Sequence, residues 1–218
     1  IGGISGVTLK KTAADKNVEL VYMNWDSEVA SINVLSQAME QHGFDVKKTA
    51  LDNTVAWQTV ANGQADGMVS AWLPNTHETQ WKKFSKSVEL LGPNLKGAKV
   101  GLVVPSYMKA NSIEDLKDQA DKSIIGIEPG AGVMAATETA LKDYDNLKDW
   151  NLVPSSSGAM TVALGEAIKQ HKDIVITGWS PHWMFNKYDL KYLEDPKNSM
   201  GKAEDINTIV RKGLKEDN

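Results

Sequence analysis

Apolar residues along the chain gather in short β-rich runs that alternate with stretches of helical spacing. Residues 18–23 form the first run and predict a strand. Over residues 27–43 the apolar positions Val29, Ile32, Leu35 and Met39 lie three or four apart. That spacing predicts a helix, ended by Gly43, a residue suited to the left-handed turn beyond a helix C-terminus. Residues 44–51 predict a second strand, and Asn53 is placed to cap a short helix over 54–61. A third strand is expected over 67–72, and a polar helix over 75–86 leads to a long strand over 97–104.

The second half repeats the plan. Strands are expected over 123–127, 150–153 and 173–177, with helices over 132–142 and 158–170 between them. Both halves then run into a Trp-x-Pro step, Ala71-Trp72-Leu73-Pro74 and Gly178-Trp179-Ser180-Pro181. An amphipathic helix over 203–214 is expected to pack on the first half. Such a chain predicts an α/β fold of two similar lobes with a ligand cleft between them. Lobe 1 is expected over 1–103 with 188–218 returning to it, and lobe 2 over 104–187. Residues 102–108, interrupted by Pro105, form a plausible crossover, and the chain crosses back around 187–196.

Strand ends over an α/β sheet are where such folds bind ligands, and Trp25, Trp72 and Trp179 all fall there. An indole face attracts a cation that cannot donate hydrogen bonds. The three are therefore read as walls of a box for a quaternary ammonium group. Of the seven tryptophans, Trp57, Trp81, Trp150 and Trp183 are better explained by packing. Three desolvated rings supply roughly 2–6 kcal/mol, whereas micromolar affinity needs about 8. A second, polar anchor is required. Gly130, Gly132 and Val133 open a predicted helix, where free backbone N–H groups and the helix dipole favour an anion. The Gly132 and Val133 amides are the expected carboxylate donors. His77, five residues beyond Trp72, is placed to add a third donor, although an exposed helix histidine would look the same. His42 and His171 read as solvated groups near helix C-termini, and His182, beside Trp179, is left undecided.

Composition narrows the field. The 218 residues are 41% hydrophobic and 24% charged, with net charge -4, which disfavours nucleic acid as a partner. With no cysteine, disulfides, thiolate zinc sites and thiol nucleophiles are excluded. No Gly-x-Ser-x-Gly, His-Glu-x-x-His or EF-hand pattern occurs, and Gly92-Pro-Asn-Leu-Lys-Gly97 lacks the Gly-Lys step of a P-loop. No metal or cofactor is expected, nor catalysis. Asp26 and Glu28 could be offered as acid/base groups, but carboxylates opening a helix more often complement its dipole. No run reaches the ~20 apolar residues that span a bilayer. Residues 1–11 carry neither a basic nor an apolar targeting region, which leaves a removed signal, an excised domain or a cytosolic protein all open.

Four segments carry a resemblance. Asn24-Trp-Asp-Ser-Glu-Val-Ala-Ser31, Asp66-Gly-Met-Val-Ser-Ala-Trp-Leu-Pro-Asn-Thr-His77, Leu91-Gly-Pro-Asn-Leu95 and Gly178-Trp-Ser-Pro-His-Trp-Met-Phe185 resemble the glycine-betaine-binding proteins of osmoregulatory ABC importers. The resemblance spans nearly the whole chain and implies a type II periplasmic-binding-protein fold. It implies that Trp25, Trp72 and Trp179 form a prism around trimethylammonium, with the carboxylate held by the Gly132 and Val133 amides and by His77. The implied partners are glycine betaine, and by extension proline betaine, and an ABC permease, fused or separate. The implied location is the extracytoplasmic face of the membrane, by lipid anchor or permease fusion. A carnitine- or choline-binding importer domain, or a sensor domain of the same fold, are the alternatives.

Overall fold

The computed structural model describes residues 15–217. Its first half follows the expected alternation: β1 (Asn17–Tyr22), α1 (Asp26–Gln41), β2 (Asp45–Ala50), α2 (Asn53–Ala61), β3 (Gly67–Leu73) and α3 (Glu78–Phe84). Gly43 takes the left-handed φ of 84° beyond α1, the conformation a Cβ would disfavour. Along α1, Ile32 is buried against Leu20 and Val69, with Leu35 and Met39 packed beside them. Every residue of β3 is buried, as befits an internal strand covered on both faces. Two details differ from the expectation. Asp52, not Asn53, occupies the N-cap of α2, and α3 is shorter than the expected 75–86 helix because residues 74–77 form the loop that leads into it.

Strand β4 (Val88–Pro105) is much longer than the expected 97–104. Its early part is broken by three register irregularities around Gly92, Pro93 and Leu95, which mask it in the sequence. The second half supplies β5 (Ser123–Ile125), α4 (Gly132–Asp143), β6 (Asn151–Val153), α5 (Ser157–Lys169), β7 (Val175–Ser180), α6 (Met184–Lys187) and β8 (Leu190–Tyr192).

The expected helix over 203–214 is instead β9 (Glu204–Arg211), antiparallel to both β3 and β4. Ile206, Ile209 and Val210 have helix-like spacing because β9 is interior and buries residues on both faces. Its β-branched run Ile206, Thr208, Ile209 and Val210 suits a pleated strand better than a helix, and the two flanking strands decide the matter.

The strand order is β2-β1-β3-β9-β4-β7-β5-β6. In one wing β1 lies between parallel β2 and β3; in the other β5 lies between parallel β6 and β7. The sequence repeat is thus a spatial one, with β9 and β4 between the wings. Strand β4 serves both: Val88 to Ala98 pair with β9, and Lys99 to Val103 with β7. The C-terminal ends of β1, β3 and β7 meet over this central pair, which sets up the site.

Candidate ligand-binding site

Three strand ends deliver the three indoles. Trp25 follows β1 as the N-cap of α1, while Trp72 and Trp179 are the penultimate residues of β3 and β7. The prolyl bonds after the twin motifs, Leu73–Pro74 and Ser180–Pro181, are both cis. Trp25, Trp72 and Trp179 line one cavity with about 270 Å³ of empty space, together with Thr76, Val100, Ile127, Ala131, Gly132 and Val133. Each indole is at most 6% exposed, so the walls are largely desolvated.

Helix α4 aims its N-terminus at this space. Its N-cap is Ala131, which offers no side-chain acceptor, and the first-turn N–H groups of a helix have no partner within it. Gly132 and Val133 therefore bring uncapped amides to the cavity wall. Gly132 also faces the other wing closely. A methyl group on its Cα would collide with the backbone carbonyl and side chain of Thr76.

Thr76 is held in place by Glu204, a buried residue of β9. The Glu204 carboxylate accepts the Asn75 N–H at 2.7 Å, the Thr76 N–H at 3.1 Å, and the Thr76 hydroxyl. The same loop carries His77, which is fully buried and does not line the cavity. The exposed-helix alternative is thereby overturned. His77 Nδ1 accepts the Trp72 N–H at 3.0 Å, so the ring proton sits on Nε2. That donor has no hydrogen-bond partner among the described residues, and the ring lies 5.8 Å from that of Trp25. Burial pushes the His77 pKa down to about 3, so the imidazole is neutral. A buried neutral donor without an acceptor is a costly group to keep, and it fits a site that receives an anion.

Residues 16–218 match the OpuAC family, the substrate binding domain of the ABC-type glycine betaine transport system. The chain belongs to this family. A crystal structure of lactococcal OpuAC, closed and complexed with glycine betaine, is 83% identical and superposes with a TM-score of 0.92, over 94% of this chain and 80% of that one. The glycine/betaine/L-proline-binding protein ProX from Borrelia burgdorferi is 38% identical, with a TM-score of 0.90 over 93% of this chain and 78% of that one. The glycine betaine/carnitine transport binding protein GbuC of Listeria monocytogenes serotype 1/2a (strain 10403S) is 57% identical over 105 residues. That match covers 48% of this chain and 35% of the Listeria protein, so the chain spans about a third of that relative's length.

Several features of this OpuAC domain escaped the sequence reading. Glu128, on the loop after β5, accepts the Trp25 indole N–H. Asp26 accepts the indole N–H of Trp183 and lies 3.4 Å from His182 Nε2. Trp183, expected merely to pack, is 41% exposed and bonds to the first turn of α1 in the other wing. His182 is buried edge-on to Trp179 at 4.9 Å, and its Nδ1 accepts the Met184 N–H. Burial lowers its pKa, partly offset by Asp26. Glu28 does not act as a charge on the helix dipole. It is 4% exposed, and burial raises its pKa to about 8 against a smaller opposing effect of Ser70, so it is mainly protonated at neutral pH. His42 and His171 are exposed near the ends of α1 and α5 as expected, and His171 also stacks on Tyr107 at 4.0 Å. Trp57 and Trp150 are buried packing residues.

Proposed function

We propose that this domain encloses glycine betaine between its lobes and presents it to an ABC permease, without chemical conversion. The observation that carries the reading is a single desolvated cavity walled by three indoles from three strand ends, with uncapped helix amides on one side. Glycine betaine is a zwitterion whose cationic end has no N–H, so a carboxylate side chain would gain no hydrogen bond from it. Indole faces attract the cation and pack its methyl groups without strong hydration to strip. The other end accepts from Gly132 and Val133 N–H; the neutral His77 Nε2–H, next to the Trp25 wall but outside the cavity lining, is the further donor once the side chains adjust around the ligand. Charge-assisted hydrogen bonds of this kind supply what the rings alone lack.

A ligand gripped from both wings draws them together, and closure is the signal a permease can read. The division into lobe 1 (1–103 and 188–218) and lobe 2 (104–187) belongs to this proposal. The change of partner along β4 supports a crossing within that strand. Among the described residues no helix is long and apolar enough to cross a membrane. A domain held at the extracytoplasmic face by a lipid anchor or by fusion to the permease meets the requirement of delivery. Proline betaine fits a cage sized for methyl groups. A second reading, carnitine, draws on the naming of the Listeria relative for both ligands. Choline is disfavoured because it has no carboxylate for the α4 amides.

Calorimetric titration tests the proposal with glycine betaine, choline and glycine on the parent and on Trp72→Ala. Glycine betaine is expected to bind, glycine not to, and the variant to lose about tenfold or more. Absence of heat with glycine betaine, or its consumption during incubation, overturns it.

A further inference from the structure

Two consecutive residues of lobe 1 reach two separate segments of lobe 2. Trp25 donates its indole N–H to Glu128, on the loop between β5 and α4. Asp26, the next residue, accepts the indole N–H of Trp183, just before α6. The exchange is reciprocal, since each lobe offers one carboxylate and takes one indole donor. Neither bond can exist when the lobes stand apart, because donor and acceptor belong to different lobes of the proposed division.

We infer that Glu128 and the Asp26–Trp183 pair are positioning residues that lock the closed state, and that Glu128 also fixes the Trp25 wall of the cavity. The inference rests on the reading that ligand is enclosed between the lobes.

The chemistry supports this division of labour. Hydrogen bonds to a carboxylate are stronger than neutral ones; the Trp25–Glu128 bond is half-buried, and the Asp26–Trp183 bond lies at the exposed rim. Asp26 sits in the first turn of α1, where the helix dipole favours a carboxylate even before closure. The acceptor therefore awaits its donor. Glu128 bonds the polar edge of Trp25, which gives one wall a fixed orientation only once lobe 2 arrives. Trp183 stays 41% exposed, so its N–H serves this contact rather than the core. Interactions that form after closure slow escape and leave encounter unchanged.

The absence of native cysteine makes a direct test clean. Val34 and Val162 are 70% and 67% exposed on α1 and α5, one in each wing. Dyes on Val34→Cys and Val162→Cys report closing and opening of single molecules by energy transfer. The variants to compare are Glu128→Ala and Trp183→Phe, the latter keeping a ring but losing the donor. With glycine betaine each is expected to shorten the closed-state lifetime roughly three- to thirtyfold, with the closing rate changed by less than about twofold. Unchanged lifetimes, or an equal fall in closing rate, overturn the inference. If the parent shows no ligand-driven closure, the ligand reading fails instead. The lifetimes of spontaneous closures in ligand-free protein then still decide whether the two contacts act as a lock.

Discussion

Trp72 and His77 bind each other twice: the Trp72 N–H donates to His77 Nδ1 at 3.0 Å, and the His77 backbone N–H returns to the Trp72 carbonyl at 2.9 Å. This double link joins a cavity wall to a buried donor and fixes the tautomer. The backbone N–H can bond only an unprotonated Nδ1, which leaves the proton on Nε2.

Replacing His77 by Ala should therefore cost twice. The Trp72 amide loses its buried acceptor, worth about 1–3 kcal/mol of folding stability, and glycine betaine affinity should fall about tenfold or more as a donor is lost. Urea unfolding and calorimetry read the two separately. In the parent, a ring already neutral above its pKa of about 3 should leave affinity nearly flat from pH 5 to pH 8. A step near 6.5 would show an ordinary imidazole instead.

Gly132→Ala separates folding from binding. Position 132 is the first residue of α4 and has no left-handed φ, so alanine fits its backbone without strain and restricts the unfolded chain more than glycine does. The ligand-free protein should be as stable or slightly more so. In the arrangement described here the added methyl meets Thr76 of the opposite wing, so on the proposed closure glycine betaine affinity should drop about tenfold or more. Thermal scans with and without ligand provide the check.

Legibility followed the range of the interactions. The tryptophans at the ends of β1, β3 and β7 could be placed because strand, loop and helix periodicities are local. Gly132 and Val133 stood out through the loop that precedes α4. By contrast, β9 gains its strand character from β3 and β4, distant in sequence, and the irregular start of β4 contains Gly92 and Pro93, which read as a loop. Glu128 and Asp26 were invisible as contact residues, since their partners come from the opposite wing of the sheet, more than a hundred residues away in the chain. Glu28 looked like a dipole charge because its burial under the sheet has no local signature.

Glu28 gives stability a pH dependence of definite sign. Its pKa rises from 4.5 to about 8 on folding, so the folded state keeps a proton that the unfolded state releases between those values. The contribution is complete below pH 4.5 and is lost as pH rises through 8. His77 acts oppositely: its contribution is present above 6.5 and is lost as pH falls towards 3. The two slopes oppose each other between 4.5 and 6.5, giving a broad maximum there. Glu28→Gln should abolish the decline from pH 6.5 to 8, up to about 1.4 kcal/mol per pH unit. Denaturant midpoints at pH 5.5 and 8 measure it, and an unaltered decline would count against the assignment.

Glu204→Gln should loosen the loop over 74–77. A carboxamide cannot match a carboxylate that accepts two backbone amides and a hydroxyl, and a loss of about 1–3 kcal/mol in stability is expected. Faster amide exchange at Asn75 and Thr76, with β2 unaffected, is the specific signature.

Glu204 is also the residue that pairs with Ala98, the last rung before β4 turns to β7. If the wings turn about that rung on the proposed closure, the movement reaches Thr76 through this one side chain. One wall of the cavity is thereby tied to the place where the central sheet changes partner, with a single carboxylate as the whole linkage.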